Sequence, residues 1–230
     1  MATTSGKTRG AAGKRAVTPE PLRQRLARIL KLLDKTYPDA HIELDFRTPL
    51  ELLVATVLSA QCTDVRVNLV TPTLFRKYRS AADYAAADPS VLEEEIRTTG
   101  FFRAKARNII AAALALVRDH GGQVPKTLEE LVKLPGVGRK TANIILYNAF
   151  GLPGLGVDTH VIRVSNRLGL VDTEDPVKIE ATLCGVLPPE QWGHTSHLFI
   201  FHGRRTCVAK KPACPRCTVR ALCPWPNKTP

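Results

Sequence analysis

At 230 residues, 44% of them apolar, the chain can bury one large or two small cores, which excludes a sequence too polar to fold. Its longest apolar runs, such as 144–146 and 161–162, are far too short to cross a bilayer, and no apolar stretch follows the amino terminus; the expectation is an intracellular protein, cytoplasmic and nucleoid-associated (organellar or nuclear in a eukaryote), with no membrane partner. The formal charge of +12 is uneven, with +4 in residues 1–18 and +7 in residues 203–230, neither segment holding an acid. A basic carboxy-terminal segment points to nucleic acid or another anionic surface, against the plainer reading of a solubilising tail.

In chain order, residues 1–17 mix Ser, Thr, Gly, Ala and Lys/Arg with almost no large apolar side chain, so burial cannot offset ordering entropy and a flexible basic arm is expected. An organellar transit peptide is the minor alternative, but the arm lacks the apolar face such a peptide needs. A repeated helix-start signal follows, a cap residue and then proline, at Thr18-Pro19, Thr48-Pro49, Asp88-Pro89 and Asp175-Pro176, with Glu51 expected to close a capping box on Thr48. Leu22, Leu26, Ile29 and Leu33 mark one helical face, and Leu50, Leu53, Val54, Val57 and Leu58 another. Further helices are expected at about 64–78, 104–119, 127–134, 139–150 and 159–168. Hairpin dipeptides and sustained two-residue alternation are missing from the sequence, so the fold class is all-α. The connections 121–125 and 151–154 are short, as in a closely packed helical bundle.

The most informative segment is Leu134-Pro135-Gly136-Val137-Gly138-Arg139-Lys140-Thr141-Ala142-Asn143, with Asp158 eighteen residues after Lys140. Gly136 and Gly138 in a tight turn between helices let backbone N–H groups face outward, where with the positive end of the second helix they can hold a phosphodiester without reading sequence. The helix dipole and the adjacent Arg139 disfavour the ammonium form of Lys140, which favours the free amine a nucleophile needs. The plainer readings are a solvated lysine and an Asp158 that only caps the helix beginning at Thr159.

Cys207, Cys214, Cys217 and Cys223 stand in a short carboxy-terminal segment, and in an intracellular protein a metal site is preferred to disulfides. By donor chemistry alone, zinc and a cubane iron-sulfur cluster are even choices. Between the first two thiols, Lys210 and Lys211 would project away from the metal and suit phosphate. Cys62 and Cys184 read as small buried hydrophobes.

Taken together, residues 134–143, Val157-Asp158-Thr159-His160, the cysteine quartet, Leu58-Ser59-Ala60-Gln61-Cys62-Thr63-Asp64 and His202-Gly203-Arg204 resemble the endonuclease III branch of the helix-hairpin-helix DNA glycosylases, over about residues 19–225. The resemblance implies Lys140 as nucleophile and Asp158 as essential aspartate. It also implies the four cysteines as ligands of a [4Fe-4S] cluster, with zinc the alternative. Gln61 and Phe101 are implied to fill the duplex around an extruded nucleotide, and Phe102 competes with Phe101 because aromatics stand where an aliphatic wedge is common. Gly136, Gly138, Arg139, Lys210 and Lys211 are implied DNA contacts. Two lobes are implied: 42–153, a helical barrel domain with the hairpin, and 18–41 plus 154–230, the cluster domain. The implied function is a monomeric, bifunctional glycosylase and abasic-site lyase of base excision repair, acting on oxidised pyrimidines or abasic sites in double-stranded DNA. Alternatives are an adenine-type monofunctional mismatch glycosylase, against which stand Lys140 and the short stretch after Cys223, and a non-catalytic iron-sulfur DNA-binding or redox protein.

Overall fold

The computed structural model describes residues 21–230; the arm expected at 1–17 and the Thr18-Pro19 helix start lie outside the described residues. Among the described residues every regular element is helical: α1 (Leu22–Thr36), α2 (Pro49–Leu58), α3 (Asp64–Lys77), α4 (Ala81–Ala85), α5 (Pro89–Glu95), a 3-10 turn Arg97–Thr99, α6 (Phe102–His120), α7 (Leu128–Leu131), α8 (Arg139–Phe150), α9 (Thr159–Arg167), α10 (Pro176–Val186) and α11 (Trp192–Arg205). The all-α expectation therefore holds. None of the described helices is long and apolar enough to cross a membrane.

Thr48, Asp88 and Asp175 each cap the helix that follows with a side-chain oxygen, and each is followed by proline in the first turn. The box expected at Thr48 is not closed as written, because the Glu51 carboxylate accepts the N–H of Arg47, at 2.5 Å, one residue further out. A reciprocal box forms at Ser80 instead, where Asp83 accepts the Ser80 N–H (2.9 Å) and donates its own N–H to the Ser80 hydroxyl (3.1 Å). The helix expected over 127–134 keeps only 128–131, and residues 133 and 134 tighten into three-residue turns. Pro135 disfavours helical backbone at Leu134, which ends the helix early.

Apolar side chains gather into two clusters. One draws on α2 to α8 and includes Leu52, Leu53, Leu58, Leu92, Ile96, Ile109 and Ile145. The other joins α1 to α9, α10 and α11, through Leu26, Ile29, Leu33, Val161, Ile179, Leu183 and Phe199. Leu26, Ile29 and Leu33 are completely buried, each contributing about 1.5–3 kcal/mol of burial; their spacing fastens α1 to helices more than a hundred residues further along the chain.

The two clusters meet along α8 and α11, which pack on each other while α8 also packs on α2. Gly193 makes the approach possible, since a Cβ there would lie 2.0 Å from Cγ of Tyr147. One turn on, His197 Nε2 donates to Asn148 Oδ1 at 2.9 Å. Gly193→Ala is expected to force Tyr147 out of the seam and lower unfolding free energy by roughly 1–3 kcal/mol, read as a reduced urea midpoint with an unchanged slope; a wild-type midpoint would show that the seam can give way at no cost.

Candidate functional site

The α7–α8 turn is built by its two glycines in different ways. Gly136 has φ +78, and a Cβ on it would stand 2.8 Å from the Asn108 side chain, so this position demands glycine twice over. Gly138 has ordinary φ and open space around it, and serves as the N-cap of α8 without any side-chain cap. Its lack of a side chain leaves the first-turn N–H groups of α8 open to an anion.

Lys140, second residue of α8, is exposed and lines a cavity between the two apolar clusters. Asp158 lines the same cavity. As the N-cap of α9 its Oδ1 accepts from the N–H groups of His160 (2.8 Å) and Val161 (2.9 Å), while Oδ2 has no hydrogen-bond partner among the described residues. The cap and the catalytic readings of Asp158 are thus compatible, one oxygen serving each.

Arg139 has a partner across the fold. Its guanidinium forks onto Glu180 of α10 at 2.8 Å through both Nε and Nη2, and Glu180 is buried. Its charge is matched by a carboxylate, and the pair ties the hairpin to the second cluster. Asn143, one turn after Lys140, is buried, lines the cavity and has no partner for Nδ2 among the described residues. Its place in the cavity was not singled out in the sequence, although the helical spacing of 140, 143 and 147 carries the signal.

Three non-glycine residues with positive φ occur among the described residues: Gln61 (+52), Phe101 (+49) and Lys211 (+52). All three had been singled out as DNA contacts, and such backbone strain concentrates at functional positions. Phe101 is 65% exposed. Phe102 is instead half-buried against the first cluster, with Arg97 and Arg103 over its ring at 6.0 and 5.6 Å, so Phe101 is the aromatic presented outward.

The basic carboxy-terminal segment divides. Arg204 pairs with Glu43 and, at 2.8 Å, with Asp64; Arg205 pairs with Asp39 at 2.9 Å. The segments around Asp64 and Arg204, read separately in the sequence, thus meet at the cavity. Lys210 and Lys211 are exposed.

Cys207, Cys214, Cys217 and Cys223 are free thiols that line one cavity with Arg167, His202, Arg220 and Lys228. Arg167 Nη1 lies 3.5 Å from the Cys207 sulfur, and His202 Nε2 lies 3.8 Å from the Cys217 sulfur. Burial first, and then the neighbouring cysteines, push the Cys217 thiol up, and burial does the same to Cys223. Among the described residues no three His, Cys, Asp or Glu side chains converge where one metal ion could sit. Cys62 and Cys184 pack against the first and second clusters respectively, and burial pushes the Cys184 thiol up to about 12.

Two histidines near the site make side-chain hydrogen bonds. Burial lowers the His160 pKa, opposed by Asp158, and its Nδ1 accepts from Arg163 at 3.0 Å. His202 Nδ1 pairs with the Tyr37 hydroxyl at 3.0 Å.

An open helix N-terminus on a hairpin, beside a cavity that brings an amine and a carboxylate together, defines a helix-hairpin-helix protein equipped for chemistry on the nucleic-acid backbone. Residues 54–189 match the model of the HhH-GPD superfamily base excision DNA repair proteins. Endonuclease III of Synechocystis sp. is 51% identical over 88% of this chain and 93% of that protein, and endonuclease III of Bacillus subtilis is 48% identical over 81% and 86%. A solved non-covalent endonuclease III–DNA complex aligns with a TM-score of 0.84 at 48% identity, covering 88% of this chain and 95% of the solved one. The chain belongs to the endonuclease III family of the HhH-GPD superfamily and is a base excision repair DNA glycosylase with abasic-site lyase activity.

Burial, with the imidazoles of His194 and His41 nearby, lowers the His197 pKa to about 4. Between about 6.5, the ordinary histidine value, and that folded value the unfolded chain binds the extra proton, so stability falls as pH falls through this window. From pH 7 to pH 5, wild type is expected to lose roughly 2 kcal/mol more than His197→Gln, measured by urea unfolding; equal losses would refute a buried neutral His197.

Proposed function

We propose that the chemistry of this chain runs through Lys140 and Asp158, acting on a nucleotide drawn from double-stranded DNA into the cavity between them. The observation that carries this reading is that the two residues, supplied by opposite apolar clusters, line one cavity.

A base within the duplex hides its glycosidic bond, so the nucleotide must be extruded at a cost of a few kcal/mol. The open N–H groups at the start of α8, with Lys210 and Lys211, hold the phosphates; Gln61 and Phe101 occupy the vacated space. The amine of Lys140, after giving up a proton, attacks the deoxyribose C1′ as the C1′–base bond breaks and the electron pair leaves with the base. The unpaired Oδ2 of Asp158 stabilises the positive charge that develops on the sugar. Ring opening with loss of the amine proton gives an iminium between Lys140 and C1′. That cation acidifies the C2′ proton; its removal pushes electrons to C3′ and expels the 3′ phosphate. Water attacking C1′ would stop at an abasic site, so the amine is what supports strand cleavage. Oxidised or ring-saturated pyrimidines are the proposed lesions, by family likeness. Residues 42–153 and 18–41 plus 154–230 are the proposed domains of a monomer.

The four thiols are proposed to hold a [4Fe-4S] cluster. They share one cavity, they are not paired as disulfides, and Arg167, Arg220 and Lys228 around them suit an anionic thiolate group. When bound, the cluster supplies iron–thiolate bonds that cross-link the segment bearing Lys210 and Lys211.

Lys140→Ala is expected to abolish the covalent adduct trapped by borohydride on abasic duplex; undiminished trapping would overturn the assignment. Asp158→Asn keeps the N-cap, since Asn caps as well as Asp, and is expected to fold normally while slowing base release about a hundredfold or more. For the metal, aerobically purified protein is expected to absorb in the visible and to contain iron, and stripping it should loosen residues 207–223 to proteolysis. A colourless, zinc-loaded preparation with full activity would overturn the cluster.

A further inference from the structure

Lys105 is a cation with 4% of its surface exposed, at a distance in sequence from every residue assigned above to chemistry or DNA contact except those around Phe101. Its ammonium donates to the carbonyl of Leu58 at 2.7 Å and to that of Thr99 at 2.8 Å. Leu58 is the last residue of α2, three positions before Gln61; Thr99 ends the 3-10 turn, two positions before Phe101. The backbone N–H of Lys105 also donates to the Phe101 carbonyl at 3.1 Å. One residue therefore grips the approach to both strained tips.

Stability alone is a poor reason for this arrangement. A cation in the first turn of a helix opposes its dipole, and burying an ammonium costs more than burying an apolar side chain of the same length. What the ammonium does that an apolar side chain cannot is to bind two carbonyls from separate segments, fixing their spacing.

We propose that Lys105 is a positioning residue that couples the two loops, so that Gln61 and Phe101 enter the duplex as a unit of fixed spacing. This rests on the reading that those two side chains fill the duplex. Without the coupling each loop must be ordered separately on the DNA, and the loss falls on steps that require a filled duplex.

The test compares Lys105→Met with wild type on an abasic-analogue duplex, on intact duplex, and by borohydride trapping on abasic single strand, where no base pair must be displaced. Lys105→Met is expected to lose about tenfold or more in the ratio of lesion to intact-duplex affinity, and to lose more trapping on duplex than on single strand. Adding Phe101→Ala or Gln61→Ala to it should cost less than in the wild-type background. Equal losses on both strand types, or a wild-type affinity ratio, would overturn the coupling. Wild-type affinity in Gln61→Ala and Phe101→Ala would overturn the filling role itself and the coupling with it. Should Lys105→Met not fold, as judged by circular dichroism, Lys105→Gln, with one donor group on a shorter arm, is judged by the same outcomes.

Discussion

The amine and the carboxylate of this site are rooted in different hydrophobic clusters, so everything the site does depends on how α8 and α11 are held together. Lys140 belongs to the helix whose buried face, through Ala142, Ile145 and Leu146, completes the first cluster. Asp158 caps α9, whose Val161 and Val164 are buried in the second. Neither cluster alone determines the separation of the two groups. The seam does, through the bare backbone of Gly193 against Tyr147, the His197–Asn148 hydrogen bond, and the ion pairs Arg139–Glu180 and Arg204–Asp64. If the two groups react as proposed, a displacement of about 1 Å can cost roughly a hundredfold in rate, which makes a seam of directional contacts better suited to the task than a purely apolar one.

The same contacts sort the positive charge of the chain. Arg139, Arg204 and Arg205 each reach a carboxylate, and the first two do so across the seam. Guanidinium forks match carboxylates in fixed geometry, so these arginines act as fasteners. Lys140, Lys210 and Lys211 remain exposed. A lysine is a compact charge on a flexible stem, suited to a phosphate whose position shifts or to a reacting carbon. The formal charge thus overstates the cations that stand free of a carboxylate.

What was legible in the sequence was what is local. The caps at Thr48, Asp88 and Asp175 and the bounds of α8 depend on residues within one turn, and the amine, the carboxylate and the cysteine quartet were visible as spacing. What was hidden depends on partners far along the chain. Arg139 looked like a free charge beside Lys140 because Glu180 lies 41 residues away; Arg204 and Asp64 are 140 apart, and Lys105 and Leu58 are 47 apart. Gly136 and Gly138 looked equivalent because neither the positive φ of Gly136 nor the Asn108 side chain of α6 packed against it shows in the sequence. Phe101 and Phe102 could not be ranked until the first cluster showed which ring it takes in.

The left-handed residues show why such distant contacts matter. A non-glycine residue there costs on the order of 1–2 kcal/mol, and glycine at 61 or 101 would remove that cost. It would also remove the side chain from the tip of the loop. Keeping Gln61 and Phe101 means that the strain must be borne by the flanks, which are stiff: Gln61 sits between the end of α2 and the Thr63 cap of α3, and Phe101 sits between a 3-10 turn and α6. In that setting the backbone aims the side chain before any partner arrives. A ring as exposed as Phe101 has little packing of its own to orient it, so direction imposed by the backbone is the available way to present it with little entropy left to lose on the proposed insertion.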